Sequence, residues 1–162
     1  MWIAVVCSAL AADPDELVHL ARERARHGDY EGVRLVASQA LEIQGDHQRT
    51  AQYLIAMSYE YGGDPAQALE LYDALILAYS DSRVPDDLRF RRAECLGRLG
   101  RYNDAMQELE RLPSIDRPPL DQLKIDVLLS TWELEVGKER QAYNRLTRTL
   151  AEAPPGVGNY YQ

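Results

Sequence analysis

Ala93-Glu94-Cys95-Leu96-Gly97-Arg98-Leu99-Gly100-Arg101-Tyr102-Asn103-Asp104-Ala105 is the stretch from which the fold is read. Its apolar residues keep helical spacing up to Gly100. Glycine accepts the left-handed backbone conformation that commonly ends a helix, so Gly100 predicts a turn between two helices. Small residues flank it at fixed distances, Ala93 seven before and Ala105 five after. Small side chains at those places let two helices approach closely.

The same spacing recurs along the chain. Gly28, Gly63, Gly100 and Gly137 are separated by 35, 37 and 37 residues, near the roughly 34 residues of a two-helix repeat. Seven residues before each glycine stand Ala21, Ala56, Ala93 and Ser130, and five after it Val33, Ala68, Ala105 and Ala142. Nine after come Ala37, Tyr72, Leu109 and Leu146, which place an apolar pair at i, i+4 on the second helix. Twelve after, Ala40, Leu75 and Leu112 extend the stripe, with Thr149 as its polar fourth member. Asp13-Pro14-Asp15-Glu16 supplies an N-cap, a first-turn proline and a capping-box glutamate, and Asp64-Pro65 opens another helix in the same way. Pro85, Pro113, Pro118 and Pro119 fall between the expected helices, where a proline avoids the cost of about 3 kcal/mol that it carries inside one.

With these residues in place, the chain resembles the tetratricopeptide repeat family over roughly residues 14 to 153. The resemblance is carried by Ala21, Gly28-Asp29-Tyr30 and Ala40; by Ala56, Tyr59, Ala68 and Tyr72; and by Ala93, Gly100-Arg101-Tyr102 and Ala105. The fourth copy keeps Ser130, Gly137, Ala142 and Leu146, but has Glu139 where the tyrosine belongs, and its Trp132 lies off the usual tryptophan position. The resemblance implies an all-α, right-handed α-solenoid of about four helix-turn-helix units, near 14–47, 49–82, 86–117 and 119–153. A tail covers 154–162. A finer likeness, to the repeats of bacterial cell-envelope proteins such as the outer-membrane assembly lipoprotein and the Tol-Pal coordinator, rests on Leu71-Tyr72-Asp73-Ala74-Leu75-Ile76-Leu77-Ala78-Tyr79-Ser80-Asp81-Ser82 and on Arg92 to Tyr102.

In this family the first helix of each unit lines a concave groove that holds a partner protein or peptide. Carried onto this register, the groove positions are Val18, Arg22 and Arg26; Tyr53, Met57 and Tyr61; Phe90, Glu94 and Arg98; and Val127, Thr131 and Glu135. The partner-binding candidates among them are Arg22, Arg26, Tyr53, Met57, Tyr61, Phe90, Glu94, Arg98 and Thr131. Aromatics, methionine and arginine are the side chains favoured at protein interfaces. An apolar stripe on a helix also serves packing, and Tyr53, Met57 and Phe90 are open to that reading. The family's carboxylate clamp needs lysines and asparagines on the first two units. The first asparagine here is Asn103, and the only lysines are Lys124 and Lys138, so a chaperone-tail adaptor is not expected.

Composition limits the other classes. Twenty-six acidic against 18 basic residues give a net charge of −8, which repels nucleic acid and anionic lipid. The arginine clusters at 22, 24, 26 and at 89, 91, 92 alternate with Glu23 and Glu94 and read as ion-paired helix faces. No nucleic-acid partner is expected, and membranes enter only through envelope partners. His19, His27 and His47 form no HExxH pattern and no serine sits in a nucleophile elbow. Glu23 and His27 share a helix face without a third ligand. Neither enzyme activity, metal nor cofactor is expected, and Cys95 reads as a small buried hydrophobe.

The ends leave alternatives open. Met1 to Ala12 is apolar from Trp2 to Val6, carries small residues at Ala9 and Ala11, and is too short to span a bilayer. It reads as the end of a secretory signal, implying a periplasmic or envelope location, or as a retained apolar helix of a cytoplasmic adaptor. At the other end Ala153-Pro154-Pro155-Gly156 stops the last helix. The apolar flank at Leu146 and Leu150 then calls for a cover: a partner, a second copy, or the tail with Tyr160 and Tyr161. A structural self-association module without a groove ligand is the remaining alternative.

Overall fold

Each of the four glycines closes a helical hairpin through the same hydrogen bonds. Gly28, Gly63, Gly100 and Gly137 have φ of 73°, 91°, 74° and 74°. The N–H of the residue after each glycine donates five residues back: Asp29 to Arg24 O at 3.0 Å, Asp64 to Tyr59 O at 2.9 Å, Arg101 to Leu96 O at 2.9 Å and Lys138 to Glu133 O at 2.7 Å. The glycine N–H donates three back, as Gly28 does to Ala25 O and Gly100 to Gly97 O. This paired arrangement is the Schellman motif, which satisfies the last carbonyls of the first helix and turns the chain.

The computed structural model describes residues 13–79, 84–112 and 119–152. The readings made on Met1 to Ala12, on Ser80 to Ser82, on Pro113 and Pro118, and on the tail with Tyr160 and Tyr161 lie outside them. The described residues form an all-α fold with four hairpins: α1 (Pro14–Arg26) with α2 (Tyr30–Leu41), α3 (His47–Tyr61) with α4 (Pro65–Ala78), α5 (Asp86–Arg98) with α6 (Tyr102–Glu110), and α7 (Pro119–Glu135) with α8 (Glu139–Glu152). They fall into two compact halves, α1–α4 and α5–α8.

In the N-terminal half, α2 packs against both α1 and α3, and α3 against α4. The predicted stripe is interior here: Ala21, Val33, Ala37, Ala40, Ala56, Ala68 and Tyr72 are fully buried. The Asp13 carboxylate accepts from the N–H of Asp15 at 3.1 Å, and that of Asp64 accepts from the N–H of Gln67 at 3.0 Å. Asp29 caps α2 in the same manner, accepting from Gly32 N–H at 2.9 Å. That bond, and after it the guanidinium of Arg24, holds the Asp29 carboxyl below the ordinary carboxylate range.

In the C-terminal half, α6 packs against α5 and α7, and α7 against α8. Ala93, Cys95, Leu96, Ala105 and Ala142 are fully buried, as the spacing predicts, and Leu112 and Thr149 are buried as well. Ser130 replaces alanine by donating its hydroxyl to Asp126 O at 2.7 Å. Pro85 caps α5, whereas Pro119 is the first residue of α7 and not part of the linker. The change is small because a first-turn proline has no helical N–H to lose.

Candidate functional site

In the N-terminal half the candidate residues divide by what they touch. Arg22 and Arg26 are exposed on α1, and Arg26 pairs with Glu23. Tyr61 is 44% exposed at the end of α3, with its ring stacked on Tyr30 at 6.0 Å between centroids and 16° between planes. Tyr53 is half-buried, and its ring lies 6.1 Å from that of Tyr72 at a tilt of 49°. Met57 is half-buried and packs on the core formed by Leu17, Ala21, Val33 and Leu54. Val18 belongs to that core, so its groove placement is corrected to an interior one. It faces inward because the buried face of α1 is wide enough to take in Leu17, Val18 and Ala21 together.

The C-terminal half contains a pocket of about 240 Å³ between α5, the start of α6 and α7. Three of the predicted residues line it, namely Glu94, Arg98 and Thr131, together with Glu135. The remaining wall is supplied by Gly97, Tyr102, Leu128 and Trp132. Phe90 is half-buried and Val127 is exposed, and neither lines this pocket.

Gly97 and Trp132 make the pocket's floor. A Cβ on Gly97 would stand 2.4 Å from Cζ2 of Trp132, closer than any carbon contact tolerates, so only glycine lets the indole lie against α5. Trp132 is 5% exposed. Sequence reasoning passed over both residues, because Trp132 misses the family's usual tryptophan position and Gly97 lies outside the turn register. The usable signal was a glycine inside a helix pattern, where it costs about 1 kcal/mol relative to alanine and so calls for a packing reason. Tyr102 and Leu128 were missed for a different reason. Tyr102 opens a second helix, and Leu128 neighbours a groove position without being one.

Glu94 is half-buried and pairs with Arg91 on its own helix at 3.5 Å. Thr131 directs its hydroxyl into α7, donating to Val127 O at 2.9 Å. The pocket therefore joins an aromatic and aliphatic wall to two carboxylates and one guanidinium. That combination suits the non-covalent capture of a side chain. Among the described residues no group of three or more His, Cys, Asp or Glu could hold a metal ion, and no helix is long and apolar enough to cross a membrane. His19 and Glu23 approach to 3.8 Å on α1.

No curated protein matches the chain in sequence. Among solved structures, MamA AMB-1 aligns with a TM-score of 0.69 at 18% identity, over 85% of this chain and 77% of that one. MamA MSR-1 aligns with a TM-score of 0.69 at 17% identity, over 88% and 78%. The Cut9-Hcn1 hetero-tetramer of APC/C gives 0.65 at 18% identity, over 87% of this chain and 27% of that chain. At these identities the likeness is one of fold. In sequence, residues 61–124 match the tetratricopeptide repeat family model. That span runs from the end of α3 through α4, α5 and α6 into α7 and includes two of the glycine turns, so the likeness in sequence to that family covers 64 of the 162 residues.

Proposed function

We propose that this protein is a scaffold that holds a partner protein or peptide, with the α5–α7 pocket at the centre of its binding surface. The observation that carries the proposal is the convergence of Glu94, Arg98 and Thr131, three positions taken from the family's partner-binding register, on one pocket with an aromatic floor. Binding energy at protein interfaces concentrates on a few side chains seated in packed recesses, and specificity lies in the residues grafted on a fold. Phe90 lies on α5, which also lines the pocket, and Arg22, Tyr53 and Tyr61 are further candidates on the first helices of the N-terminal half.

The experiment is affinity capture from the native organism, wild type against the triple variant Tyr53→Ala, Tyr61→Ala, Arg98→Ala. A partner retained by wild type and lost by the variant is the expected result. Equal recovery by both rejects the surface.

The envelope is the proposed location, supported by the signal-like run from Met1 to Ala12 and by the likeness of Leu71 to Ser82 to cell-envelope repeats. The intact mass of natively expressed protein tests it, since export removes about a dozen N-terminal residues and a cytoplasmic adaptor retains them. Self-association is a second reading, favoured by Tyr143 and Leu150, which are 71% and 72% exposed on α8. Light scattering across a concentration series checks it, with a mass that stays monomeric throughout as the contrary result.

A further inference from the structure

We infer that the end face of the last hairpin, α7 with α8, seats an amphipathic helix of a partner protein, docked as α7 itself docks on α5 and α6. The inference goes beyond the pocket reading, since none of the residues that carry it lines the pocket. Six residues after the turn glycine, Met106 of α6 is 6% exposed, and α6 packs against both α5 and α7. Tyr143 holds that place on α8 and is 71% exposed. Thirteen after the glycine, Leu41 of α2 packs on the core that α1, α2 and α3 share, whereas Leu150 of α8 is 72% exposed. Leu146, between Tyr143 and Leu150 on the same stripe, is half-buried. Three before the glycine, Gly97 of α5 receives the indole of Trp132 from α7, and at the same place on α7 Leu134 is 51% exposed. Leu134, Tyr143, Leu146 and Leu150 therefore stand where a hairpin meets the first helix of the next one, and among the described residues no helix follows α8. An uncovered apolar end face in a repeat stack calls for a cap.

The first helices of this chain define the chemistry of the occupant. Twelve residues before their glycines, α3, α5 and α7 carry Ala51, Leu88 and Ile125, all buried. Eight before, Ile55 of α3 packs on the core and Leu129 of α7 is buried. Apolar residues at i and i+4 are how an amphipathic helix lies on an apolar seat. A second copy has no such face to offer. The faces of α3, α5 and α7 are buried within their own chain, and α1 has exposed Glu16 at the first of these places and exposed Leu20 at the second, with the His19–Glu23 pair beside them. Docking α1 of another copy on Tyr143 and Leu150 would strip water from those charges without pairing them, which is unfavourable. The partner helix also needs a small residue at i+7, as Ser58 is in α3, because Leu134 stands where Gly97 makes room for Trp132.

The probe is a capped, fluorescein-labelled peptide copying α7, residues 119–135, with Trp132→Ala to supply that small residue, and the full chain is titrated into it. Saturable anisotropy is expected, with no binding by the same peptide carrying Ile125→Ser and Leu129→Ser. In the chain, Tyr143→Ser with Leu150→Ser is expected to weaken binding at least about tenfold, and Leu134→Gln, read independently, by about threefold. His19→Ala on α1 leaves it unchanged. Each variant alters an exposed side chain, and circular dichroism verifies that it is folded. Absence of saturable binding, equal affinity for the double variant, or equal binding of the serine peptide overturns the inference. So does a dimer of the chain that the double variant abolishes, because a second copy then covers the face, as the self-association reading has it. None of these results bears on affinity capture with the Arg98 triple variant, so the pocket reading stands or falls separately.

Discussion

Eight residues after its turn glycine, each hairpin of the N-terminal half carries an apolar residue, Val36 or Leu71, and each of the C-terminal half a charged one, Glu108 or Arg145. The position is interior or nearly so in both halves, since Val36 is 5% exposed and Glu108 6%. In the N-terminal half, rings join the helices: Tyr30 on Tyr61, Tyr53 beside Tyr72, and the Arg34 guanidinium 4.8 Å over Tyr59. In the other half, Glu108 sits among Arg111 at 2.9 Å, Arg92 at 3.4 Å and Arg89 at 3.6 Å. One hairpin later the signs are exchanged. Arg145 on α8 reaches Glu133 at 2.7 Å and Asp126 at 3.6 Å on α7, and Thr149 donates to Asp126 at 3.0 Å. The hydrogen bond to Glu133 raises the Arg145 pKa against the opposing effect of burial. Repeat geometry dictates that the position points inward, but apolar packing and a neutralised charge both satisfy it.

The two solutions fail differently, and the largest expected effect belongs to the ionic one. Arg145→Met leaves Glu133 and Asp126 buried without their cation, which destabilises by roughly 3 kcal/mol. Urea unfolding measures it. A loss below about 1 kcal/mol would mean that these charges behave like a surface pair and would erase the distinction between the halves.

Tyr72→Phe probes the ring-built half. It removes the hydroxyl that donates to the fully buried Glu60 at 2.8 Å while preserving the ring, and is expected to cost about 1 to 2 kcal/mol. The same unfolding measurement applies, and a neutral result would show that Glu60 is satisfied without Tyr72.

Turn strain should be indifferent to this contrast. A Cβ on Gly28 or Gly100 meets nothing within 4 Å, but both residues have φ near +74°. Gly28→Ala and Gly100→Ala are each expected to cost about 1 kcal/mol, and equal Tm losses would confirm that the turns are equivalent. A difference beyond about 1 kcal/mol would place the cost in neighbouring contacts and not in the backbone.

The smallest effect is acid dependence at the helix caps. Because folding depresses the Asp29 pKa, its contribution is complete above the ordinary carboxylate value of about 3.9 and is lost as pH falls through the lower folded value. Asp29→Asn is expected to flatten the stability profile in that acidic window, measured by thermal unfolding from pH 2 to 5. Arg101, which occupies the corresponding place before α6 and pairs with Asp104 at 2.7 Å, makes no side-chain cap bond. Its removal should leave that part of the profile nearly as it is.

Legibility followed the range of the interaction. The hairpin turns were readable because a positive φ is a local demand that glycine meets and few other residues do. The interior stripe was readable because helical period alone assigns residues to a face. Trp132 and Gly97 were not, since the fit of an indole against a backbone depends on two helices separated by about 35 residues of sequence. Val18 was misplaced for a similar reason: Leu17, Val18 and Ala21 are neighbours on one helix face, and only the packing of α2 and α3 decides how wide that face becomes.

Composition and order along the chain thus settled the all-α class, the glycine-closed hairpins and the identity of most core positions, because these arise from backbone sterics and from the 3.6-residue period. The arginine and carboxylate pairings, the burial of Glu108 and Glu133, and the pocket that gathers Glu94, Arg98, Thr131 and Glu135 were decided in three dimensions. Charges and rings act through space, and their partners are named only when separate helices come together.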